Sequence, residues 1–248
     1  MRTQLRKCLA EFLGTFALVA VGVGSVLFAE PGAALLTIAL AHGLVLAVFI
    51  TACFYISGAQ FNPAVSFALV LIGKQSPKQG VIFALVQLAA AACGAGLWLA
   101  VLGPEVANSA EAGTNLGATI GELTRDGRVG AVLLVEVVAT FLLMWAILAG
   151  TVDKRAQPLG GFVIGVAVTA LILAFGPATG AGMNPARTFG PALFGHWEMF
   201  WVYVLGPVIG ASLAAVVYAR LWEERPEDLG WVSSEVDPPA AVAVPATA

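Results

Sequence analysis

Six stretches of this chain, each about 20 residues long, carry at most one charged side chain apiece: about residues 8–29, 34–56, 80–102, 129–151, 159–176 and 200–222. A helix of that length crosses a hydrocarbon layer of ~30 Å. In lipid every backbone polar group must be satisfied internally, so such segments are restricted to helices or a closed barrel. Runs of this length and continuity predict an all-α membrane protein. Only 11% of the 248 residues are charged, against ~25% in soluble domains. The first stretch follows Arg2, Arg6 and Lys7 and so has the look of a removable export signal. It exceeds the usual apolar length of such a signal and contains Glu11, and is read as a span.

Two shorter segments repeat each other. Ser57-Gly58-Ala59-Gln60-Phe61-Asn62-Pro63-Ala64 and Thr179-Gly180-Ala181-Gly182-Met183-Asn184-Pro185-Ala186 correspond at a constant offset of 122, since 184 minus 62 is 122. Asn is a strong helix N-cap, and Pro is favoured at the first helical position, where its missing N–H has no partner to lose. Each Asn-Pro-Ala therefore predicts a helix start. Residues 62–72 as a helix would be ~15 Å long, about half of the hydrocarbon layer. These are two re-entrant half-helices, and the irregular backbone before each is tolerable only if buried in protein or lining a wet cavity.

The repeat extends to the spans. Glu11-Phe12-Leu13-Gly14-Thr15-Phe16 matches Glu136-Val137-Val138-Ala139-Thr140-Phe141. The halves run about 1–124 and 125–222, with three spans each, and an odd number of spans inserts the second half upside down relative to the first. The half-helices then enter from opposite faces and meet N-terminus to N-terminus. Nine Lys and Arg residues near span ends fall on one side and two, Arg125 and Arg128, on the other. The positive-inside rule places both termini in the cytoplasm. Small residues four apart (Ala39/Gly43/Ala47, Ala92/Gly96/Ala100, Gly161/Gly165/Thr169, Gly206/Gly210) predict close helix contacts in lipid. Residues 103–128 read as a long outer loop, and 223–248, acidic and then Pro/Ala-rich, as a disordered cytoplasmic tail.

Two helix N-termini aimed at one point place roughly half a positive charge each there. Asn62 and Asn184 can cap with their carbonyls and turn amide N–H groups to the lumen. Such a site engages a neutral solute by hydrogen bonding and repels cations, hydronium included. An arginine inside a membrane, Arg187, reads as functional by default. Glu11 and Glu136 must be paired or protonated, and serve either to hold the irregular loops or to relay protons. No metal set, cofactor motif, nucleophile–base pair or basic nucleic-acid patch is apparent: His42 and His196 are isolated, and Cys8, Cys53 and Cys93 lie in or beside spans as small packing residues.

On these residues the chain resembles the major intrinsic protein family, the aquaporins and aquaglyceroporins, over about residues 8–222. The resemblance implies a right-handed bundle of six spans and two half-helices, assembled as a homotetramer with one pore per subunit and surrounded by membrane lipid. It implies a channel for water and small neutral solutes, and not an enzyme. Pro63, Ala64, Pro185 and Ala186 then belong with Asn62 and Asn184 to the paired pore motifs. Arg187 becomes a filter arginine, completed by His42, Ile172 and Ala181, and Glu11 and Glu136 become acceptors for the re-entrant loops. As ideal helices, His42 lies ~12 Å from the outer end of its span and Ile172 ~20 Å from the inner end of its own.

The set His, Ile, Ala, Arg departs from the narrow water-selective pattern of Phe and His in those spans. It looks more like tonoplast intrinsic proteins, several of which pass urea, ammonia or glycerol. Thr188 and Ala192 depart from the glycerol facilitators, and Gln60 replaces a frequent His or Gly. A glycerol facilitator is the alternative, and a secondary transporter the more distant one, since inverted repeats with broken helices occur there too. Against a transporter, no carboxylate that could hold a coupling ion adjoins Asn62 or Asn184. The Ala/Val/Gly-rich composition points to a bacterial plasma membrane.

Overall fold

The computed structural model describes residues 2–30, 32–103, 105, 115–153 and 159–222, and these contain helices and no strand. The proposed tail and the middle of the 103–128 loop lie outside them.

Among the described residues the first half contains α1 (Arg2–Leu27), α2 (Ala34–Ser57), the short α3 (Pro63–Leu71) and α4 (Pro77–Leu102). A 3-10 turn at Asn115–Gly117 and a helical turn at Glu122–Arg125 lead to the second half. There, α5 (Val129–Ile147) ends in a π-turn to Val152, followed by α6 (Gly160–Thr179), the short α7 (Pro185–Ala192) and α8 (Val202–Val217), which also ends in a π-turn, at Tyr218–Trp222. Among the described residues six helices are long and apolar enough to cross a membrane, and they coincide with the six stretches read from sequence.

Local chemistry explains the breaks. Gly58 and Gly180 end α2 and α6 in the left-handed region at φ 90° and 83°, and their N–H groups close onto Phe54 and Gly176. The chain then turns into the membrane rather than continuing across it. Asn62 Oδ1 accepts from the N–H of Ala64, and Asn184 Oδ1 from those of Ala186 and Arg187, so both short helices begin where sequence places them. Some boundaries differ: α1 already begins at Arg2, and α6 runs through Pro177 to Thr179, the proline forgoing a single ladder bond, that of its missing N–H to the Leu173 carbonyl.

Close backbone crossings help to hold the bundle. At the α2–α6 crossing, a Cβ on Gly165 would lie 2.4 Å from the carbonyl of Gly43, so the backbones touch. In α8 against α5, a Cβ on Gly210 would lie 2.2 Å from the Val137 carbonyl. In α1 against α4 the glycine that matters is Gly94, 3.0 Å from Ala20 N and Phe16 O by the same measure. This corrects the Ala92/Gly96/Ala100 row. Ala90, Ala91 and Ala95 are buried with Gly94, whereas Ala100 is exposed and Gly96 meets only the edge of Phe194. Between Ala89 and Gly96 nearly every residue is small, so spacing alone cannot pick the face; Gln87, fully buried, marks it. Leu44, Val48, Leu85, Leu134 and Phe162 are exposed on the outside, as lipid-facing residues should be.

Candidate functional site

The breaks in α2 and α6 bring two irregular loops together at mid-depth. Each contains two non-glycine residues in the left-handed region, Ala59 and Phe61 at φ 48° and 50°, and Ala181 and Met183 at 47° and 50°. Such residues cost ~1–3 kcal/mol each and persist only where their surroundings over-determine them. The surroundings are two carboxylates. Glu11 Oε1 accepts from Ser57 Oγ (2.6 Å) and the N–H of Gln60 (3.0 Å), and Oε2 from the N–H of Phe61 (2.8 Å) and Gln87 Nε2 (2.9 Å). Glu136 Oε1 accepts from Thr179 Oγ1 (2.8 Å) and the N–H of Gly182 (2.9 Å), and Oε2 from the N–H of Met183 (2.7 Å).

Peptide planarity gives these bonds a second consequence. All peptides in the described residues are trans, so an N–H pointing one way sets the preceding carbonyl pointing the other. The carbonyls of Ala59, Gln60, Ala181 and Gly182 therefore turn away from the carboxylates. Those four residues line a cavity of about 550 Å³ that neither glutamate borders. The result is a column of acceptors along one wall. The opposite wall is apolar, with Leu46, Ile50 and Phe54 of α2 and Ile164 and Val168 of α6 at helical spacing.

The loops also brace each other. Asn62 Nδ2 donates to the carbonyl of Met183 and Asn184 Nδ2 to that of Phe61, both at 2.8 Å. Sequence predicted both amide groups free for the lumen; one N–H of each is used across the pseudo-twofold and one remains.

This cavity starts at Lys7, Lys74 and Gln75 and runs past Asn62 and Asn184 to Arg187. A second, of about 190 Å³, opens from Asn115 and Arg125. Among the described residues, Ile172 and Arg187 line both, so the two cavities adjoin at these side chains. Arg187 is 8% exposed, and its Nη1 donates to the carbonyl of Gly117 (2.7 Å) and to Thr119 Oγ1 (3.4 Å). Of its five N–H donors, those on Nε and Nη2 are not engaged by these contacts. Ala181 is buried, borders the same cavity and adds little bulk.

His42 is tied to its own helix. Its Nδ1 lies 2.8 Å from the carbonyl of Ile38. A carbonyl can only accept, so Nδ1 carries the proton, and in the neutral ring Nε2 is an acceptor. Nε2 is buried and has no partner among the described residues. The remaining ring nitrogen is thus an acceptor that faces α1 at Gly22 and is closed off from solvent.

Several contributors escaped the sequence reading. Ser57 and Thr179 occupy matching places in the repeat, and that correspondence was a usable signal. Gln87, an amide in an apolar span, was another; its Nε2 also lies 3.2 Å from Ser66 Oγ. Gln60 joins this cluster, donating to Gln75 Oε1 and accepting from Ser66. The carbonyl of Gly117 left no signal, because segment 115–124, read as loop, folds into the mouth with Leu116 fully buried.

A family model described as major intrinsic protein matches residues 1–218. The chain is 39% identical to Aquaporin TIP4-4 of Zea mays, covering 88% of this chain and 87% of that one. Aquaporin-8 of Rattus norvegicus is 38% identical, covering 88% and 81%. Among solved structures, the aquaglyceroporin from Plasmodium falciparum superposes with a TM-score of 0.78 at 24% identity, covering 88% of this chain and 96% of that one.

Proposed function

Because the chain belongs to the major intrinsic protein family, whose members are channels and not enzymes, we propose that it is a passive channel for water and for at least one of ammonia, urea or glycerol. The observation that carries this reading is the meeting of two capped helix N-termini in a cavity with one polar and one apolar wall. Carbonyl acceptors replace part of a solute's hydration, and the second N–H of Asn62 and of Asn184 donates at the midplane. The helix dipoles and Arg187 put positive potential on the path, which excludes cations and protons while neutral molecules pass.

We assign the filter to His42, Ile172, Ala181 and Arg187, and the support of the two re-entrant loops to Glu11 and Glu136. A proton relay through the glutamates is disfavoured, since neither borders the cavity. The same reading has inverted halves of about 1–124 and 125–222, both termini cytoplasmic, a homotetramer, and residence in lipid of a bacterial plasma membrane.

Polarity from Arg187 and His42 on one side of the opening, with the apolar wall of Ile172 opposite, suits solutes with both polar and less polar faces. Each hydrogen bond gained offsets desolvation by ~0.5–1.5 kcal/mol. The test is stopped-flow light scattering on proteoliposomes with water, ammonia, urea and glycerol on one preparation. The parent should pass water and one of the other three without proton current. The double change His42→Phe plus Ile172→His should keep water flux while cutting the larger solute severalfold. A parent that excludes all three solutes, or a double variant with their flux unchanged, would overturn the filter assignment.

A further inference from the structure

We propose that Gly22 of α1 is a specificity-determining position of the filter: the notch left by its missing side chain receives the imidazole of His42 and sets how wide the passage opens. Three observations place it there. Leu18, Gly22 and Val26 follow one another at four-residue spacing and so share a face of α1. Leu18 borders the larger cavity and Val26 the smaller, so Gly22 sits at the depth where the two meet. At that depth the wall is the His42 ring: a Cβ on Gly22 would lie 2.4 Å from Nε2, 2.8 Å from Cε1 and 3.1 Å from Cδ2.

The ring cannot yield by sliding along its own helix, because Nδ1–H is fixed to the Ile38 carbonyl. Even one methyl group at position 22 must therefore tilt the imidazole off α1, toward Arg187 and Ile172. The opening would narrow, and the unpartnered Nε2 would move with it. Gly22 thus acts through His42 as a positioning residue, and α1, which lends no side chain to the four-residue filter, contributes by an absence. The inference rests on the channel reading above.

The test compares Gly22→Ala, Gly24→Ala and Gly22→Ala/His42→Ala with the parent, by water and urea flux in proteoliposomes normalised to incorporated protein. Gly24 is the control for a generic packing defect: on the same helix, its Cβ would lie 2.5 Å from Cζ2 of Trp98, an equal clash that does not involve His42. Gly22→Ala should lower the urea-to-water flux ratio at least fivefold, whereas Gly24→Ala should keep the parent ratio. Removing the ring in the double variant should restore or raise it. Glycerol replaces urea if the parent passes only glycerol. Equal ratios in Gly22→Ala and the parent, equal losses at both glycines, or no rescue by His42→Ala would each overturn the proposal while leaving the channel reading intact. A parent without water flux would overturn both.

Discussion

A carboxylate in an apolar span is tolerable only while its oxygens have donors, and Glu136 has three, all from the loop it faces. Glu136→Gln keeps the size but turns one oxygen into a donor, so at least one loop N–H or hydroxyl meets another donor. A buried polar group left unpaired costs ~1–3 kcal/mol. The variant should therefore melt at lower temperature than the parent in detergent, as followed by intrinsic tryptophan fluorescence, with reduced water flux; an unchanged midpoint would mean that the loop holds its shape without the carboxylate.

A second prediction uses the thiols. Cys53 is buried and lies outside the cavity lining, as do Cys8 and Cys93. Mercurials should inhibit the parent weakly and Ala181→Cys strongly. Strong inhibition of the parent that disappears in Cys53→Ser would show the lining to be misplaced. At this scale sequence told residue identities better than bond directions: the repeat placed Glu11, Asn62 and Arg187, but nothing in it says that His42 spends its proton on Ile38. Side-chain bonds to backbone carbonyls leave no spacing signature.

Between elements, the decisive quantity is how closely two backbones approach. Gly165 meets the backbone of α2 and Gly96 meets little, although both stand in rows of small residues. Gly165→Ala should sharply reduce the yield of folded protein and its melting temperature. Gly96→Ala should be neutral, or stabilising by up to ~1 kcal/mol, since it removes a flexible residue from a helix interior. Thermal melts of both decide it, and equal losses would mean that the α2–α6 crossing is not a tight one.

Helix existence and ends were legible because apolar runs, Asn-Pro caps and terminating glycines are local. The face of α4 was not, because a face needs contrast and that helix is alanine on several sides. The inward fold of 115–124 was not either, since its role comes from Arg187, 70 positions away.

For the molecule as a whole, the inverted repeat predicts which ends share a side. In a background lacking Cys8, Cys53 and Cys93, a cysteine at Lys78 should be labelled only from the cytoplasm and one at Glu122 only from outside; both residues are exposed. Labelling of both from one face would refute the topology.

The reciprocal bonds of Asn62 to Met183 and Asn184 to Phe61 reach beyond selectivity. Each half completes its own turn with an atom borrowed from the other, so neither loop has a finished shape alone. A chain cut between the halves should then regain its fold only when both fragments are present. Closing the path at its centre would mean breaking both bonds at once. The middle of this molecule is built as a keystone, and anything that opens or shuts it has to work at the ends.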